Sequence, residues 1–153
     1  MRKRRSDLAT VLLAARRLKA PGLDRLPVHH TFLLLRPDSG YPYAYSADKD
    51  DSRLLSPGEL LPYEDIYALG SRDWTTKPPW LRHVALEVDG FELRARWRQA
   101  IGDIEALALR YHALTMNCNV VVRTLAELAG LAVPPDVPWA PGLGRRILLP
   151  ARV

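Results

Sequence analysis

The segment from Thr115 to Pro135 constrains this chain more than any other, because both ends of one helix are written into it. Thr115 and Asn117 are good N-cap residues: a short side-chain oxygen accepts from a first-turn N–H that has no partner inside the helix. Cys118, Val121, Val122, Leu125, Leu128 and Ala129 recur at helical spacing and form one apolar face. Gly130 falls where a left-handed residue ends a helix, Leu131 can fold over the last turn, and Pro134-Pro135 forbid continuation. The spacing therefore predicts a helix that begins within a residue or two of Cys118, the only cysteine of the chain.

A thiol at a helix N-terminus lies beside unpaired N–H groups and the positive end of the helix dipole. Both favour thiolate, the nucleophilic form of cysteine. The same N–H groups can hold the oxyanion formed when sulfur attacks a carbonyl. The competing reading is a small core residue, the usual role of a lone cysteine on an apolar helix face. A nucleophile needs an imidazole to take its proton and return one to the leaving group. Four histidines are available: His29, His30, His83 and His112.

Around the helix the chain reads as strands first and a second helix later. Val28–Arg36 is a short apolar run bounded by Pro27 and Pro37-Asp38-Ser39-Gly40, the pattern of a largely buried strand. Tyr41–Ala47 is its expected hairpin partner. Asp48–Pro62 is polar and turn-rich, and Leu61–Leu69 reads as a short strand or turn. Ser71–Pro79 reads as a connector, with Trp74 and Trp80 covering an edge of the core. Trp80–Val88 alternates as a strand. Asp89 and Glu92 then form a capping box that opens a helix to about Leu109, disturbed near Gly102-Asp103. Ile147–Leu149 reads as a final strand. These elements predict an α+β domain, a small antiparallel sheet packed against helices.

Tyr111, Asn117-Cys118-Asn119 and the apolar helix after them resemble the nucleophile motif of circularly permuted papain-like cysteine hydrolases. The pattern is similar to the PPPDE and Lnb-type domains. It is more loosely similar to the lecithin-retinol acyltransferase group, which has Asn-Cys-Glu where this chain has Asn117-Cys118-Asn119. In such folds the histidine precedes the cysteine, and His30-Thr31 with its apolar strand resembles the histidine segment. The resemblance implies a cysteine hydrolase or acyltransferase acting on an amide, isopeptide, ester or thioester. Cys118 would be the nucleophile and His30 the base, with a peptide or acylated molecule as substrate and no cofactor. His83, which opens a strand ending in Asp89-Gly90, is the competing base. Asn117 either assists the oxyanion or caps the helix. The group that orients the imidazole carries no motif; Tyr45, Ser46 and Glu87 are candidates. A zinc site from His29, His30, His83 and Cys118 lacks the usual ligand spacing.

The net charge of +5 is concentrated at the start. Residues 1–20 hold seven Lys or Arg and one acid, whereas the other 133 hold 15 basic and 16 acidic side chains. Nucleic-acid binding by the domain is not indicated, since a phosphate footprint needs clustered cations. Leu8, Val11, Leu12, Ala15 and Leu18 share one helical face, so residues 1–20 read as a basic helical arm on a single domain of residues 21–153. Such an arm could contact an anionic surface. A non-catalytic interaction domain using that arm is the alternative function. No stretch approaches the roughly 20 apolar residues of a membrane span. The start lacks a signal-peptide cleavage pattern, which implies a cytoplasmic protein or export by another route. The Arg, Ala and Leu usage suggests a bacterial source of high GC content.

Overall fold

A computed structural model of the chain describes residues 8–18, 27–49 and 58–150. Five strands, β1 (Leu8–Arg17), β2 (His29–Pro37), β3 (Tyr43–Lys49), β4 (Leu60–Ile66) and β5 (Trp80–Asp89), precede two helices, α1 (Gly90–Ala106) and α2 (Cys118–Leu128). The strands form one antiparallel sheet in the order β4-β3-β2-β1-β5. The architecture is α+β, as the order of elements predicts.

The first strand corrects the helical arm. Leu8–Arg17 is a strand with β2 on one side and β5 on the other, so these residues belong inside the domain. Its residues divide between the two faces of the sheet: Val11 and Leu13 join the core under the helices, Leu12 and Ala14 the core on the opposite face. A strand whose residues from Val11 to Ala15 are apolar and buried on both faces has no alternation to reveal it, and its helical spacing is incidental. Of the seven early cations, Arg16 and Arg17 end this strand, while Arg2, Lys3, Arg4, Arg5 and Lys19 lie outside the described residues.

The principal core lies between the sheet and both helices. Trp97 of α1 is fully buried, its ring edge-on to Tyr45 at 4.8 Å and its Nε1–H donating to Leu125 O at 2.9 Å. Truncating a buried tryptophan of this kind costs about 3–5 kcal/mol. The smaller core on the other face centres on Phe32, Leu34 and Ala44. Tyr67 lies over Phe32 and Trp74 over Tyr67, so the chain after β4 folds back beneath the sheet.

The helix boundaries follow their capping residues. Asp89 accepts from Glu92 N at 3.0 Å and opens α1, which passes Gly102 without interruption and ends before Ala108, where φ is +47°. At the end of α2, Gly130 takes φ +68°, Gly130 N bonds Glu127 O, and Leu131 N bonds Ala126 O. That bond pattern closes a helix through a left-handed residue. Ile147–Leu149 is not a strand: Ile147 tucks its side chain into the core and donates its N–H to Thr124 Oγ1 at 2.8 Å.

Candidate active site

The site forms where two neighbouring strands separate. β2 and β3 pair at Leu33–Tyr45, Leu34–Ala44 and Leu35–Tyr43, and no further toward the start of β2. Beyond that point the edge of β2 still carries backbone groups that need partners. The tip of α2 and a serine of β3 supply them. Thr31 N donates to Asn119 Oδ1 at 2.9 Å, Asn119 Nδ2 donates to His29 O at 3.2 Å, and Ser46 Oγ donates to Thr31 O at 2.7 Å. The residue after Cys118 is thus bonded on both sides of His30.

Asn119, 2% exposed, has its hydrogen-bonding capacity filled. Its Oδ1 also accepts from Thr31 Oγ1 at 2.7 Å and from the Cys118 thiol at 3.5 Å, and its Nδ2 reaches Pro141 O at 2.9 Å. Asn117 caps α2: its Oδ1 accepts from Asn119 N and Val120 N. Its amide nitrogen donates to Ala113 O at 2.7 Å and Pro141 O at 2.9 Å. Both amide protons are therefore occupied, and the reading of Asn117 as an oxyanion donor gives way to capping. Close packing reinforces this: a Cβ on Gly142 would lie 2.7 Å from Asn117 Oδ1.

Cys118 is the first residue of α2 and 9% exposed. Its sulfur is near enough to the His30 ring to favour the protonated imidazole. His30, 4% exposed, donates from Nε2 to Asp73 Oδ1 at 2.8 Å, and Asp73, 1% exposed, takes a 2.6 Å hydrogen bond on Oδ2 from the Tyr63 hydroxyl. With Nε2 on the carboxylate, Nδ1 is the ring nitrogen left for sulfur. Arg16, opposite His30 in the β1–β2 register, brings Nη2 to 3.7 Å from Asp73 Oδ1, while its buried Nε has no partner among the described residues.

The electrostatics favour a charged imidazole. Burial, the largest influence on His30, opposes protonation, but the Cys118 sulfur and the Asp73 carboxylate outweigh it and hold the ring up at about 9. Burial likewise opposes the Asp73 charge. Hydrogen bonds from His30 and Tyr63, with the nearby His30 and Arg16 charges, outweigh it and keep the carboxyl below its usual range. Tyr63 is pushed up, first by burial and then by the Asp73 charge, and remains a donor.

The other sequence candidates lie apart. His83 is exposed on β5 opposite Leu12, four residues along β1 from Arg16, the partner of His30. Four strand residues span about 13 Å. His29 bonds Pro27 O and Trp139 O through Nδ1, and His112 Nδ1 accepts from Leu114 N and Thr115 N in the turn before α2. Of the three groups considered for orienting the imidazole, Tyr45 donates to Glu64, Ser46 holds Thr31 O, and Glu87 is exposed with φ +53°. Asp73 takes that position instead. It sits in the connector of residues 71–79, where neither periodicity nor motif distinguishes it from a surface aspartate.

No protein-family model, curated protein or solved structure matches the chain. The geometry thus stands on its own residues: a thiol at a helix tip, a buried imidazole beside it, and a buried carboxylate behind the imidazole. No helix among the described residues is long and apolar enough to cross a membrane.

Proposed function

We propose that this protein is a cysteine-dependent acyl-transfer enzyme of the permuted papain-like kind, a hydrolase of peptide or isopeptide bonds. The observation that carries the reading is the buried His30–Asp73 pair, closed at 2.8 Å, with the Cys118 sulfur near enough to favour the charged ring. The order of residues, histidine strand before cysteine helix, supports the permuted arrangement.

In the proposed reaction His30 takes the Cys118 proton and sulfur attacks the substrate carbonyl carbon. The carbonyl electrons move to oxygen, which lies near the N-terminus of α2. As the tetrahedral adduct collapses, the carbon–nitrogen bond breaks and His30 gives its proton to the leaving amine. Water, deprotonated by His30, then attacks the thioester, and Cys118 leaves with the proton restored. Asp73 keeps Nε2 protonated and the ring oriented throughout.

The test is a panel of fluorogenic peptide, isopeptide and thioester substrates against the wild type and the Cys118→Ala, His30→Ala and Asp73→Asn variants. Turnover lost in Cys118→Ala and His30→Ala, and reduced about 10–1,000-fold in Asp73→Asn, is the expected pattern. Turnover that survives Cys118→Ala would overturn the assignment. No turnover, together with a native thiol that reacts only on unfolding, would favour the interaction domain.

A further inference from the structure

The proposed chemistry needs hydrogen-bond donors for the developing oxyanion, and those of Asn117 are occupied. One donor is the Cys118 N–H: it begins α2, and no partner for it is found among the described residues. The second comes from the strand-like turn that delivers the helix. His112 N bonds Met116 O at 2.7 Å and Met116 N bonds His112 O at 3.0 Å, so residues 112 and 116 face each other antiparallel. One step outward in that register sets Tyr111 opposite Asn117, next to Cys118.

Tyr111 is held there from both sides. Its N–H donates to Gly58 O at 2.7 Å, its ring packs on the core that includes Cys118, and the Lys49 ammonium lies 5.6 Å from the ring centre. Its hydroxyl, by contrast, has no hydrogen-bond partner among the described residues. Burial, followed by the charges of Cys118 and Asp48, pushes the phenol up to about 12, so it keeps its proton at neutral pH. The hydroxyls of the two buried tyrosines differ: Tyr45 donates to Glu64 and Tyr63 to Asp73, and each is committed to a carboxylate.

Resting on the cysteine-nucleophile reading, we propose that Tyr111 is a catalytic residue that donates its hydroxyl proton, together with the Cys118 N–H, to the oxyanion of the tetrahedral adduct. The donation is a hydrogen bond and transfers no proton. It is made to a charge that exists only after sulfur has attacked.

Two probes separate this role from packing. p-Nitrophenyl acetate acylates Cys118 through a tetrahedral adduct with release of nitrophenolate, so its burst rate reads oxyanion stabilisation. Iodoacetamide alkylates the same sulfur by displacement of iodide and forms no oxyanion. In full-length Tyr111→Phe the ring remains and no hydrogen bond to a described residue is removed. The burst rate is expected to fall about 10–100-fold, while alkylation stays within about twofold of wild type. An unchanged burst rate, or equal loss in both reactions, would overturn the assignment of Tyr111. If iodoacetamide alkylation of the wild type does not depend on His30, it is the underlying nucleophile reading that fails.

Discussion

The two ends of β2 are built on different principles. From Leu33 to Leu35 the strand pairs with β3, and its side chains do nothing but pack. From His29 to Thr31 it loses β3, and a helix tip, a serine and an outlying loop satisfy its backbone instead. The first arrangement needs only apolar side chains and a ladder. The second lets the tip of α2, and Cys118 with it, dock on the strand that carries His30. Strand separation thus admits a helix tip to the edge of β2, where Asn119 and Ser46 take up backbone groups that β3 no longer pairs.

Substitutions at the two ends should behave differently, and the largest contrast is in reactivity. His30→Ala should slow alkylation of Cys118 at pH 7 by about 100-fold or more, because the thiol loses its proton acceptor. Leu33→Ala should leave that rate unchanged in the folded fraction while lowering stability by about 2–5 kcal/mol, measured by urea unfolding. Equal loss of reactivity in both would erase the distinction. Asn119→Ala joins the two principles. It should cost on the order of 3 kcal/mol, since several buried groups lose partners together, and it should also slow alkylation through the displaced His30 strand. Stability lost without any change in rate would mean that Asn119 holds the fold and not the site.

A smaller effect is expected in the pH dependence of stability. The folded His30 ring sits near 9 against an ordinary value of 6.5, so its contribution is complete below about 6.5 and disappears as pH rises through about 9. The depressed Asp73 carboxyl acts at the other end: its contribution is present above its ordinary value of 3.8 and is lost as pH falls through its lower folded value. Melting temperatures measured from pH 6 to 10 should therefore fall more steeply for wild type than for His30→Gln. Parallel curves would show that the imidazole charge is not linked to folding.

Local signals made much of this molecule readable. Asn117, Gly130 and Pro134 bound α2 because caps and breakers act within a few residues, and Asp89 and Glu92 open α1 for the same reason. The apolar run Val28–Arg36 and the turn after it forecast the β2–β3 hairpin. What stayed hidden was decided by distant parts of the chain. Leu8–Arg17 has the spacing of a helix, and only β2 and β5 on either side make it a strand. Asp73 is one acid in a polar connector; its role arises because Tyr67 and Trp74 fold that connector under the sheet, toward a histidine 43 residues earlier. Asn119 was legible as part of a motif, but not as the group that replaces the missing β2–β3 pairing.

The most direct test is the rate at which iodoacetamide alkylates Cys118 in the native protein at pH 7, measured by mass spectrometry for wild type and His30→Ala. Stoichiometric labelling of the folded wild type, about 100-fold or more slower without the imidazole, is the result this structure predicts. A thiol that labels only as the protein unfolds, at the same rate with or without His30, would contradict it.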